Sequence, residues 1–269
     1  MFKAICTDID GTLLNPDRKL SQRTIDIIKS IKDDVHIILA SSRMPAAMRH
    51  LQQTLEIMDQ PLICYNGGFI ISQKEGVKVL DSVSIPFDLT NYIANWSHGK
   101  NLHASFYVED EWYAPTEDQW TKREVNNTQV QASILPGLEL MKSWEASQIG
   151  AHKIMCMGEP ALIDALIEDL KSQKAPLHLY RSKDTYLEIA PLAISKASAL
   201  NQLLDKELNI EMKDVIAFGD NYNDIEMLTA VGCGVAVGNA KEEVKSIANE
   251  ITLPGKEDGV AVTLEKYFS

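Results

Sequence analysis

Cysteine is scarce and scattered. The four in this 269-residue chain, Cys6, Cys64, Cys156 and Cys233, show no Cys-x-x-Cys spacing and sit mostly in apolar runs. This argues against a disulfide framework and for buried, reduced thiols. Histidine is equally sparse: the six present are not paired at metal-ligand spacing, so each reads as a packed or surface side chain. Positive charge is in deficit, with 26 basic against 38 acidic residues and a net charge of −12. Such a field repels nucleic acid and anionic membranes at long range. No window approaches the run of about 20 apolar residues that a membrane-spanning helix needs. The N-terminus lacks the basic, apolar and small-residue succession of an export signal, so a cytoplasmic location is expected. There is no internal repeat and no low-complexity tract.

What remains is an ordinary folded composition, 45% hydrophobic and 24% charged, long enough for one or two domains. Phe2 to Thr7 reads as a short buried strand. Ser21 then caps a helix carrying Ile25, Ile28 and Ile31, and the apolar runs Val35 to Ala40 and Pro61 to Tyr65 flank a helical stretch around Ala46 to Ile57. Strands alternating with helices predict a parallel sheet covered on both faces. Beyond Gly68 the pattern becomes hairpin-like, and the segment from about Ile85 to Ile189 reads as a separate α+β group. Its stretch before Trp144 has no assignable pattern. All four Trp lie in this segment and read as core packing. Alternation resumes near Ser195. The expected fold is α/β, a doubly wound, mainly parallel Rossmann-like core from residues 1–84 and 190–269, with an α+β domain inserted at 85–189.

In such a sheet, reactive groups gather at the carboxyl ends of the strands. Four polar clusters fall at predicted ends of this kind: Asp8-x-Asp10-x-Thr12, Ser41-Ser42-Arg43, Ser195-Lys196 and Gly219-Asp220-x-x-Asn223-Asp224. Asp8, Asp10 and Asp220 at one sheet edge would repel one another strongly. Hard oxygen donors with no matching His or Cys point to Mg²⁺, with Lys196 as a second cation. The set suits phosphoryl transfer. Asp8 would attack phosphorus, Asp10 would protonate the leaving oxygen and later take a proton from water, and Ser41 would hydrogen-bond a phosphoryl oxygen. Lys196 would hold charge, and Asp220 would complete the metal site.

These motifs resemble the haloacid dehalogenase superfamily, and more closely its Cof-type phosphatases. Asp8-Ile9-Asp10-Gly11-Thr12-Leu13-Leu14 is similar to the family's first motif, Ser41 to its second, Lys196 to its third, and Gly219-Asp220-x-x-Asn223-Asp224 to its fourth. Asn66-Gly67-Gly68 looks like its segment near the substrate. The resemblance implies a cap domain between the second and third motifs, and Mg²⁺ on Asp8, the Asp10 carbonyl and Asp220, with Asp224 beside them. It also implies substrate contacts from Thr12, Ser42, Arg43, Asn66, Gly67 and Asn223. The implied activity is Mg²⁺-dependent hydrolysis of a small phosphorylated metabolite, sugar phosphates foremost. A phosphomutase and a catalytically silent phosphate-binding protein are the alternatives. Two positions depart from the usual pattern: Ser42 stands where Gly is common, and Ala197 follows Lys196 where Gly is frequent.

Overall fold

Short runs of β-branched and aliphatic residues, apolar on both faces, build the central sheet of the computed structural model, which describes residues 2–268. The strands β1 (Ala4–Thr7), β2 (His36–Ala40) and β3 (Leu62–Cys64) alternate with helices α1 (Gln22–Ile31) and α2 (Ala46–Leu55). Ser21 caps α1, its hydroxyl accepting from the Thr24 amide at 3.1 Å. Strands β4 (Phe69–Ser72) and β5 (Lys78–Ser82) follow as an antiparallel hairpin. Its loop needs Gly76, whose φ of +100° falls in the left-handed region.

The chain then forms α3 (Phe87–Lys100), β6 (His103–Val108), β7 (Glu111–Ala114), α4 (Gln119–Thr128), β8 (Ser133–Ile134) and α5 (Gly137–Glu145). Next come β9 (Lys153–Met157), α6 (Pro160–Ser172), β10 (Leu177–Lys183) and β11 (Tyr186–Pro191). It ends with α7 (Lys196–Leu203), β12 (Val215–Gly219), α8 (Ile225–Ala230), β13 (Cys233–Ala236), α9 (Glu242–Ile247), β14 (Glu250–Ile251) and α10 (Gly259–Phe268).

Two units result. One comprises the residues through Arg43, Met48–Ser82 and the chain from Ile194 onward; the other comprises Met44–Ala47 and Val83–Ala193. In the first, the strand order is β14-β13-β12-β1-β2-β3-β4-β5, parallel through β3 and antiparallel beyond. β1 is central, with Thr7 in register with Phe218 on one side and Leu39 on the other. The chain departs β1 in opposite directions to reach those neighbours, so a crevice opens at the carboxyl end of β1, as it does wherever a doubly wound sheet reverses. This unit confirms the doubly wound, mainly parallel α/β class.

The second unit is an α+β layer with strand order β10-β11-β9-β6-β7-β8. One face of its sheet, carrying Ala104, Phe106, Ile154, Cys156, Leu187 and Ile189, packs under apolar residues of α3, α5 and α6 such as Ile93, Trp144 and Leu166. Trp112 and Trp144 are buried, and Trp96 packs against this core. The unpatterned stretch proves ordered. Asp118 caps α4 by accepting from the Trp120 and Thr121 amides, both at 2.9 Å, and α5 buries Leu140, Met141 and Trp144. Among the described residues, no helix is long and apolar enough to cross a membrane.

Candidate active site

β1 delivers Asp8 to the crevice and the chain turns at once. Asp10 leaves helical geometry, and Gly11 takes φ +92°. A Cβ on Gly11 would lie 2.5 Å from Asp220 Oδ2, so glycine is required twice over, by conformation and by space. From the next strand, Asp220 approaches the same turn and accepts from Thr12 Oγ1 at 3.1 Å.

Lys196, at the first turn of α7, is the cation of the cluster. Ser195 and Ser198 form a reciprocal cap at this helix start, fixing where the lysine leaves the backbone. Its side chain is 0% exposed, and its ammonium donates to Asp8 Oδ1 at 2.5 Å and to Asp224 Oδ1 at 2.7 Å. The other oxygen of Asp224 accepts from the amides of Asp220 (2.9 Å) and Asn221 (3.0 Å). Asp224 thus ties the lysine to the loop that carries Asp220. Ala197 is an ordinary helical residue and does not disturb Lys196.

One buried ammonium cannot neutralise three carboxylates. Burial raises the Asp8 pKa, Lys196 opposes that, and Asp224 and Asp220 add to it, leaving Asp8 pushed up to about 8. Asp220 is raised to about 6 by burial and by Asp224. For Lys196 burial acts downward, but Asp224 and Asp8 outweigh it and hold the amine charged. Oxygens of Asp8, Asp220 and Asp224 lie within 4.8 Å of one another. An all-carboxylate donor set short of positive charge fits a hard divalent cation such as Mg²⁺.

Asp10 faces a different partner. Arg43 Nε donates to its Oδ2 and Nη2 to its Oδ1, both at 2.7 Å. Burial would raise this carboxyl, but the fork and charge of Arg43 outweigh it and hold Asp10 below the usual carboxylate range. Arg43 is itself largely buried, at 8% side-chain exposure against 37% for Asp10.

The loop after β2 is stitched to its neighbours. The Ser41 hydroxyl accepts from the Arg43 amide at 3.3 Å, and its carbonyl accepts from the Asn66 amide at 2.8 Å. Ser42 has no positive φ, so the glycine common at this position is not demanded by the backbone here. Asn66, at φ 56°, accepts through its side-chain oxygen from Asn223 Nδ2 at 3.0 Å. Gly67 lets this loop meet α7, since a Cβ there would fall 2.5 Å from the Ser195 carbonyl oxygen.

The structure therefore gathers Asp8, Thr12, Lys196, Asp220 and Asp224 into one hydrogen-bonded cluster. Asp10 pairs with Arg43, and Asn66 pairs with Asn223. Two further participants escaped sequence reasoning. Arg18 Nη2 lies 3.6 Å from Asp10 Oδ1. Asn239 donates to the Gly11 carbonyl and accepts from the Gly255 amide, both at 2.8 Å. The position of Asn239 just past β13, at another strand's carboxyl end, was the available signal.

Fold and crevice together define a protein of the doubly wound α/β class whose carboxylate–lysine cluster is suited to handling a phosphoryl group. The family model for haloacid dehalogenase-like hydrolases matches residues 5–264. A Haemophilus influenzae protein named as a phosphatase is 31% identical over 271 residues, covering 100% of this chain and 99% of that protein. One 5-amino-6-(5-phospho-D-ribitylamino)uracil phosphatase of Bacillus subtilis is 29% identical, with coverage of 98% of this chain and 97% of that protein. A crystal structure of a haloacid dehalogenase-like hydrolase from Bacteroides thetaiotaomicron superposes with a TM-score of 0.89 at 27% identity, over 100% of both chains. The chain belongs to the haloacid dehalogenase-like hydrolases, of Cof type, and is a phosphoric monoester hydrolase.

Proposed function

We propose that the chain hydrolyses small phosphorylated metabolites through a phosphoryl group carried on Asp8, with Mg²⁺ as cofactor and in the cytoplasm. The observation that carries this reading is the Asp8–Lys196–Asp224 triad with Asp220 beside it: a buried carboxylate, braced by one ammonium, in a cluster still short of positive charge. Asp8 and Asp220 side chains and the Asp10 carbonyl would hold the metal, with Asp224 lending charge while holding Lys196. When bound, the ion would offset charge on the phosphoryl oxygens and keep Asp8 ionised.

An oxygen of Asp8 forms a bond to phosphorus as the ester P–O bond breaks, and Asp10 gives its proton to the departing oxygen. Water then attacks the same phosphorus, the bond to Asp8 breaks with inorganic phosphate leaving, and Asp10 takes the water's proton. The Arg43 fork keeps resting Asp10 ionised, the form the second step needs; for the first step Asp10 parts from Arg43 and takes up the proton that the ester's monoanion brings, then passes it to the departing oxygen. Lys196 and Ser41 hold the phosphoryl oxygens.

Selection among esters is assigned to the 85–189 insertion as the specificity domain, with Arg43, Asn66 and Asn223 contributing from the core. Sugar and sugar-alcohol phosphates come first, because the Bacillus subtilis relative is named for a phosphoribityl substrate. The buried free thiols Cys6, Cys64, Cys156 and Cys233 suit a reducing compartment. The test is a panel of phosphorylated metabolites ranked by kcat/KM, run with Mg²⁺ and with chelator. Phosphate release that needs Mg²⁺ and favours polyol phosphates is expected, and metal-independent release would overturn the cofactor assignment.

A further inference from the structure

The loop that follows β13 touches both halves of the carboxylate cluster. The Asn239 side chain donates from Nδ2 to the Gly11 carbonyl at 2.8 Å. Two residues on, the Lys241 amide donates to the Asp220 carbonyl at 2.9 Å. Gly11 follows Asp10 on the turn that leaves β1, and Asp220 stands just past the end of β12. One short span of chain, residues 239–241, therefore links the two loops and fixes their spacing.

The span is itself held. The Ala240 amide donates to the Val237 carbonyl at 2.8 Å, the Val237 amide to the Gly219 carbonyl at 3.2 Å, and the Gly238 amide to the Leu253 carbonyl at 3.2 Å. Asn239 Oδ1 accepts from the Gly255 amide at 2.8 Å. A backbone N–H can only donate and a backbone carbonyl can only accept, so Oδ1 must face Gly255 and Nδ2 must face Gly11. Gly255 lies against the same turn: a Cβ there would fall 3.0 Å from the Thr12 carbonyl oxygen and 3.2 Å from that of Gly11.

Gly11 is where such a tie matters. At φ 92° and ψ −12° it has no side chain to restrict its backbone rotations. With its carbonyl anchored by Asn239, the preceding peptide, which carries the Asp10 carbonyl, keeps its direction.

We propose, resting on the assignment of Mg²⁺ to Asp8, the Asp10 carbonyl and Asp220, that Asn239 is a positioning residue for the cation. It sets the gap between the Asp10 carbonyl and the Asp220 carboxylate to the size that Mg²⁺ requires. Mg²⁺ demands near-octahedral geometry with oxygens at about 2.0–2.1 Å, whereas Ca²⁺ accepts flexible geometry at about 2.3–2.6 Å. A loosened gap should therefore cost Mg²⁺ more than Ca²⁺. A general loss of stability would not discriminate between the two ions.

The variants are Asn239→Leu, which is close in size and removes both hydrogen bonds, and Asn239→Ala. Asn239 is exposed, so both should fold, and a cooperative thermal transition near the wild-type Tm without metal checks this. Mg²⁺ and Ca²⁺ are each titrated into the full-length chain, and binding is read from the backbone amide NMR signals of Gly11 and Asp220. Both variants should raise the Kd for Mg²⁺ about tenfold, the low end of what outer-shell partners contribute, and the Kd for Ca²⁺ by a clearly smaller factor. Ser21→Ala, at the cap of α1, should leave both Kd values unchanged. Asn239→Leu should need about tenfold more Mg²⁺ for half-maximal phosphate release and then reach a plateau near that of the wild type.

Wild-type Mg²⁺ affinity in both variants, or an equal loss for Mg²⁺ and Ca²⁺, would overturn the role of Asn239 while leaving the metal assignment standing. A lowered plateau with unchanged Mg²⁺ dependence would overturn it too. No Mg²⁺ binding by the wild-type chain would overturn the metal assignment and the role of Asn239 together.

Discussion

A lysine with no exposed surface, between two carboxylates, is stable only as a complete set. Removing the ammonium leaves Asp8 and Asp224 facing each other in a dry site, so Lys196→Met should destabilise the protein by about 3–5 kcal/mol at pH 7. Urea melts of the variant and the wild type at pH 7 check this. Arg43 is a different case, because its contribution is directional. A lysine in its place keeps the charge but not the two-pronged grip on Asp10. Arg43→Lys should lower kcat about 10- to 100-fold with a smaller change in KM, and it should affect alkyl phosphates more than aryl phosphates, whose leaving groups depend less on a proton. An equal effect on both would argue against proton transfer by Asp10. The residue types at Asp8, Asp10, Lys196 and Asp220 were legible in sequence because each stands at a strand or helix end that hydrophobic patterning locates. The Arg43–Asp10 pairing was not legible. It joins residues 33 apart through two loops, and loop conformation leaves no periodic trace.

Turns decide the site at the scale of elements. The bend after β1 works only because Gly11 occupies φ +92° and leaves room for Asp220. Gly11→Ala should therefore move Asp220 and cost about 1–3 kcal/mol together with most of the activity. Ser21→Ala at the cap of α1 should cost about 0.5–2 kcal/mol and spare activity, so the two variants separate a functional turn from a structural cap. Sequence located α1 and the hairpin of β4 and β5 because each has a clear apolar period, cap or turn. It failed across α4 and β8 for a physical reason. Of α4's ten residues the buried ones are Thr121 and Glu124, so no apolar stripe marks the helix, and β8 is two exposed residues. The helix that begins at Lys196 ends its regular turns at Leu203 and widens over Leu204–Leu208, before Asn209 closes it at φ 52°. No proline or glycine in that stretch announces the change.

Across the whole molecule the surplus of acid is general, at −12, yet its consequences concentrate at one crevice. Asp220 and Asp8 have folded pKa values of about 6 and about 8, above the roughly 3.9 of an unfolded aspartate. Their stabilising contribution in the metal-free protein is thus complete below about pH 4 and is lost as pH rises through 6 and then 8. Binding of a divalent cation needs the deprotonated forms, so the two trends oppose each other. The Tm of the metal-free protein should fall between pH 5 and 8, while the increase in Tm on adding Mg²⁺ grows over the same range. Asp220→Asn should raise the metal-free Tm at pH 8 and abolish most of the Mg²⁺ increment, both readable by calorimetry.

The central claim is that phosphate passes through Asp8. Acid quench during turnover, followed by borohydride reduction, converts an aspartyl-phosphate to homoserine, and peptide mass spectrometry locates it. Homoserine at position 8, absent without substrate and absent in Asp8→Asn, is the predicted result. Homoserine at another aspartate, or none while Asp8→Asn still releases phosphate at the wild-type rate, would contradict it.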